Sequence, residues 1–149
     1  MKLAEALQER SDLSLHISQL RSRLAANAIV QEGEKPAEDP KALLTELNHC
    51  IDQQEQLIAQ INLTNSRTKV SDITLTELLA KRDSLSLRIE AYHELINNGS
   101  RLAQRASRTE IKILSAVDVP TLQKEADRLS KELRKVDNTI QETNWLTEL

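Results

Sequence analysis

Two nine-residue words, ERSDLSLHI at Glu9 to Ile17 and KRDSLSLRI at Lys81 to Ile89, agree at five of nine positions across an offset of 72. A second pair follows in the same order: INLTN at Ile61 to Asn65 and IQETN at Ile140 to Asn144 agree at three of five positions, at an offset of 79. The drift of seven residues is about two helical turns. Duplication of a helical hairpin explains both echoes. It constrains the fold to a single domain, 1–149, made of two pseudo-repeats, about 1–72 and about 73–149.

The echoes extend to the apolar pattern. Leu3, Ala6, Arg10, Leu13, Ile17, Leu20 and Leu24 fall at alternating steps of three and four, as do Leu75, Leu78, Arg82, Leu85, Ile89, Tyr92 and Ile96. The two registers coincide under the shorter offset. Leu43, Leu47, Cys50, Gln54, Leu57, Ile61 and Thr64 match Leu122, Ala126, Leu129, Leu133, Val136, Ile140 and Thr143 under the longer one. Such spacing is the buried seam of helices packed as in a coiled coil. The fold expected is all-α, or mainly α with a short β pairing: four long helices as two duplicated hairpins in an up-down-up-down antiparallel bundle.

Local signals mark the helix starts. Asp39-Pro40 and Asp118 with Pro120 supply capping carboxylates and first-turn prolines, and Thr74 with Glu77 has the spacing of a capping box. Asn97, Asn98 and Gly99 predict a kink or an early end of the third helix. The β-prone run from about Thr109 to Val119, with Ile111, Ile113, Leu114 and Val117, predicts a short strand, paired with Ile29 to Glu32.

An up-down topology puts both inter-helix segments at one end. There Glu32, Glu34, Glu38 and Asp39 stand against Lys35 in one segment, while Arg101, Arg105, Arg108 and Lys112 stand against Glu110 in the other. Charge pairing between or within chains is favoured over an RNA or phosphate contact, since no aromatic residues interleave the basic stretch. The opposite end carries the candidate site. Arg10 and Arg82 occupy seam positions where Leu is expected, and a buried guanidinium needs acceptors. Asp12, Asp83, Asn62, Asn65, Gln141 and Asn144 are the candidate partners, with Trp145 able to cover an arginine plane. Two roles fit: a structural polar layer, which is favoured, or a clamp for a small anion or nucleotide.

Other chemistry is poorly supplied. The single Cys50 falls on an apolar stripe, and His16, His49 and His93 form no i, i+4 pair, so no metal site and no catalytic residue is assigned. No cofactor-binding word occurs, and two glycines leave little material for a phosphate loop. The net charge of −3 is split into eight basic and eleven acidic residues before Ile73 and twelve of each after it, which argues against nucleic acid as a partner. A lone cysteine, no leader pattern and no apolar run of about 18 residues predict a soluble cytoplasmic protein without membrane contact.

Self-association is better supported than any reaction. Leu15 and Leu87 lie off the seam at equivalent positions, and Leu44, Ile51 and Ile58 flank it on the second helix where the fourth has Gln123, Ser130 and Asp137. That flank is either a broader core face or a homo-oligomer surface.

The opening MKLAEALQERSDL, the loop QEGEKPAEDP, the words INLTNSRT and LTELLAKRDSL, the segment SRTEIKILSAVDVPTLQKEAD and the ending ELRKVDNTIQETNW resemble the septicolysin-like bacterial family of unknown function. The resemblance spans nearly the whole chain. It implies a small cytoplasmic helical protein, homo-oligomeric, with no catalytic residues to carry over. Its name implies cytolysis, which a chain without secretion signal or apolar segment supports poorly. Three functions are therefore expected in descending order: a noncatalytic oligomeric scaffold or interaction protein, a binder of a small anion, and a membrane-damaging protein.

Overall fold

A computed structural model of the chain describes residues 1–101 and 111–149. Its elements are α1 (Leu3–Ala26), α2 (Pro40–Arg67), β1 (Lys69–Val70), β2 (Ile73–Thr74), α3 (Leu75–Ser100) and α4 (Val119–Leu146). The fold class is the mainly-α, four-helix one that the seams predict. The chain forms two compact units, one of Met1–Thr74 with Glu142–Leu149, the other of Leu75–Gln141.

In the first unit, α1 and α2 form an antiparallel hairpin. Leu20, Leu43, Leu47 and Cys50 make a buried cluster against which Leu13, Ile17 and Leu24 pack. These are seam residues of both helices, brought together because each seam is an apolar stripe to remove from water. Polar cross-links set the register: Gln54 Nε2 donates to Ser14 Oγ at 2.6 Å, His16 Nε2 lies 2.9 Å from Glu46 Oε1, and Arg23 Nε donates to Glu38 Oε2 at 3.0 Å. Asn27 closes α1, its side-chain amide donating to the Arg23 carbonyl and its Oδ1 accepting from the Glu38 N–H. Asp39 caps α2 by accepting from the Lys41 N–H at 3.1 Å, with Pro40 at the first helical position.

The β pairing is elsewhere than expected. Neither Ile29 to Glu32 nor the described residues 111–117 form a strand, while Thr109 and Glu110 lie outside the described residues. The sheet instead joins β1 to β2 with Lys69 opposite Thr74 and Val70 opposite Ile73, around a two-residue turn in which Ser71 (φ 48°) and Asp72 (φ 68°) are both left-handed. The physical reason is closure: a two-residue turn pairs neighbours at small entropic cost, whereas the expected strands are some eighty residues apart. A second antiparallel contact joins Lys2 to Glu148. Leu3 N–H donates to Thr147 O and Leu149 N–H to Met1 O, each at 2.9 Å. Lys2 Nζ adds an ion pair to Glu148 at 2.6 Å.

In the second unit, Leu78, Leu85 and Ile96 of α3 and Ala126, Leu129, Val136 and Ile140 of α4 are buried. Lys81 reaches Glu132 at 3.2 Å, and Arg128 pairs with Glu125 and Glu132 along α4. Asp118 caps α4 through the Thr121 N–H at 3.2 Å and the Thr121 hydroxyl at 2.8 Å. Helix α3 continues through Asn97 and Asn98 to Ser100, so those residues do not end it early. Gly99 has a packing role instead. A Cβ there would meet Val117 Cγ2 at 2.7 Å and Ser115 Oγ at 3.3 Å, so the missing side chain lets the approach to α4 pass against α3.

Candidate functional site

The residues of the expected polar cluster belong to both units. Arg10, Asn62, Asn65, Asn144 and Trp145 fall in the first, and Arg82 and Asp83 in the second. Arg10 and Arg82 are each only half-buried, so neither carries the desolvation cost that a seam position implies. Arg82 Nε donates to Asp83 Oδ1 at 3.1 Å, a pairing with its own chain neighbour. Asp12 accepts from Gln8 Nε2 at 2.9 Å. Asn144 is buried, Asn65 half-buried and Asn62 exposed.

Trp145 stands apart from that expectation. Its indole is 60% exposed and lines a concavity of about 380 Å³ with Ala4, Glu5, Gln8, Glu9 and Asp12 of α1. The wall it faces is acidic, with no arginine in it. Glu5 is already engaged by the Lys2 backbone N–H at 2.7 Å and Asp12 by Gln8, leaving Glu9 as the carboxylate of this wall without a hydrogen-bond partner among the described residues. Glu9 also lines a second concavity of about 300 Å³, where Gln53, Gln56 and Gln60 of α2 stand around the buried Leu57. Spacing alone could have flagged these glutamines, since steps of three and four put them on one helix face.

The titratable groups whose pKa is displaced lie in ion pairs. Glu38 is held below the usual carboxylate range by its hydrogen bonds from Arg23, and Arg23 is raised by the same contact. Glu125 is lowered by Arg128, and Glu148 by Lys2 and the terminal ammonium. The acidic loop thus spends Glu38 on Arg23 and Asp39 on capping, within its own hairpin. Of the basic stretch, Arg101 and Lys112 are exposed, while Arg105, Arg108 and Glu110 lie outside the described residues. Cys50 is buried in the apolar cluster, and His49 and His93 are exposed. Among the described residues no group of three His, Cys, Asp or Glu side chains is placed to hold a metal ion, and no helix is long and apolar enough to cross a membrane.

Residues 10–149 match the model of a family of unknown function, DUF6847. The chain belongs to the DUF6847 family. This corrects the septicolysin-like resemblance, which neither the family match nor the structural match supports. The physical reason is that short Leu-, Glu- and Lys-rich words are set by helix formation and recur in unrelated helical chains. Among solved structures, a crystal structure of a functionally unknown conserved protein from Corynebacterium diphtheriae is 39% identical to this DUF6847 chain. The match covers 100% of this chain and 98% of that one, with a TM-score of 0.94. No curated protein matches.

Proposed function

We propose that the protein is a noncatalytic interaction protein that assembles with copies of itself through the outer face of α2. The observation that carries this is the exposure of Leu44, Ile51 and Ile58 at 49%, 43% and 37%, on a helix whose inward stripe of Leu43, Leu47, Cys50, Leu57 and Ile61 is already buried. A broader core face would have covered them. The equivalent positions of α4 hold Gln123, Ser130 and Asp137, so a helix of this pattern does not require apolar residues there.

Magnitudes set the kind of assembly. Burying the exposed part of three such side chains on each of two copies yields about 4–8 kcal/mol, at ~1.5–3 kcal/mol per fully buried side chain. Association costs are of similar size, so a weak, reversible assembly is expected. Sedimentation velocity across a hundredfold concentration range tests it. The wild type should shift from monomer to a defined oligomer, and Ile51→Glu should hold it monomeric, while Leu63→Glu, on another face, leaves assembly intact. A wild type that stays monomeric throughout, or an Ile51→Glu chain that assembles normally, overturns the proposal.

A second function, small-ligand binding, draws support from Trp145. Its exposed indole against the Glu5, Glu9 and Asp12 wall favours an organic cation over the anion that Arg10 and Arg82 imply, because a ring face attracts positive charge. Trp145 is the only tryptophan, so its fluorescence reports directly. A response to a linear polyamine, lost in Glu9→Gln, supports cation binding. A response to inorganic phosphate, lost in Arg10→Ala, restores the anion site.

A further inference from the structure

We infer that two copies pair through α2 in antiparallel orientation, with Ile51 on the twofold axis. The inference rests on the self-assembly proposed above and adds the geometry of the partner. Leu44, Ile51 and Ile58 are spaced by seven, so the stripe is symmetric about Ile51. In an antiparallel pair, Leu44 lies across from Ile58 of the second copy, and Ile51 meets Ile51. A parallel pair would align the apolar residues equally well.

Charge decides between the two. One step round the helix from the stripe run Lys41, Asn48, Glu55 and Asn62, also spaced by seven and all exposed. Among the described residues, none of these side chains makes a hydrogen bond or ion pair within its own chain. A parallel twofold puts this flank on opposite sides of the pair, so Lys41 faces Pro40 of the second copy, which has no side-chain acceptor, and Glu55 faces Gln54 of the second copy, whose amide already donates to Ser14. An antiparallel pair sets Glu55 across from Asn48, whose amide donates to the carboxylate. It also sets Lys41 across from Asn62, whose amide oxygen accepts from the ammonium. Twofold symmetry makes each contact twice. The pairing brings one like-charge encounter, Asp52 with its mate, further round the helix at the solvent rim, where salt screens it.

Asn48→Lys separates the alternatives without disturbing the fold, since the position is exposed and Lys is the better helix former. In the antiparallel pair the new ammonium meets Glu55 twice, and the dimer Kd should fall about fivefold at low salt. In a parallel pair the new ammonium meets no carboxylate, and an unchanged or raised Kd would overturn the inference. Cross-linking gives an independent readout in a Cys50→Ala background. Asn48→Cys and Glu55→Cys chains, mixed and oxidised without a linker, should form the mixed disulfide in preference to either self-coupled product. A mixture with no excess of the mixed disulfide over the two self-coupled products overturns the inference. No coupling in a chain that sediments as a dimer overturns it while leaving self-assembly standing. A chain that sediments only as monomer removes the proposal on which it rests.

Discussion

Gly99 and Val117 stand so close that a Cβ built on Gly99 would lie 2.7 Å from Val117 Cγ2. A glycine inside a helix ordinarily costs about 1 kcal/mol relative to alanine, so Gly99→Ala would be stabilising on propensity alone. Overpacking, which costs about 1–3 kcal/mol, reverses the sign. Gly99→Ala should lower the urea midpoint by the equivalent of about 1 kcal/mol, and Val117→Ala in the same chain should recover part of the loss. A higher midpoint for Gly99→Ala alone would show that the close approach yields without strain.

The turn joining β1 to β2 places two non-glycine residues in the left-handed region, Ser71 and Asp72. Each such placement costs about 1–2 kcal/mol. Asp72→Gly should raise the thermal midpoint, with a gain of about 0.5–1 kcal/mol after the added freedom of the unfolded chain is deducted. Asp72→Val should lower it, because a β-branched residue tolerates a positive φ least.

Arg23 holds the Glu38 carboxylate charged by hydrogen bonding to it, so the folded pKa of Glu38 lies below its ordinary value of 4.5. A lowered folded pKa means that this contribution is fully present above the unfolded value and is lost as pH falls through the folded one. The stability difference between wild type and Glu38→Gln should therefore be constant at neutral pH and shrink as acid is added below about 4.5. Both side chains are solvent-exposed, so the difference should also shrink in salt. Denaturation curves at a series of pH values check this, and a difference that grows in acid would reverse the assignment.

Leu20 and Leu15 lie five residues apart on α1, one fully buried in the α1–α2 cluster and the other 61% exposed. Leu20→Ala should cost about 2–5 kcal/mol through lost burial and a residual cavity. Leu15→Ala should change stability by less than about 0.5 kcal/mol. Equal losses would mean that the seam does not mark the core.

What the sequence by itself determined is what is local and periodic. The steps of three and four picked out Leu20, Leu43, Leu47 and Leu129 as core, because a helix repeats every 3.6 residues whatever it packs against. Asp39 and Asp118 announced the starts of α2 and α4 because a capping carboxylate acts within three residues of itself. The Ser71-Asp72 turn lacks the glycine or asparagine that usually signals such a hairpin, and the β-prone Ile111 to Leu114 has no paired strand, so local preference pointed to the wrong strands. Other matters were decided only by tertiary structure. The seam arginines remain half-exposed, Trp145 faces carboxylates, and Leu44, Ile51 and Ile58 stay in solvent. Each depends on which surfaces meet across helices, and burial and charge environment are properties of that meeting, not of any one segment.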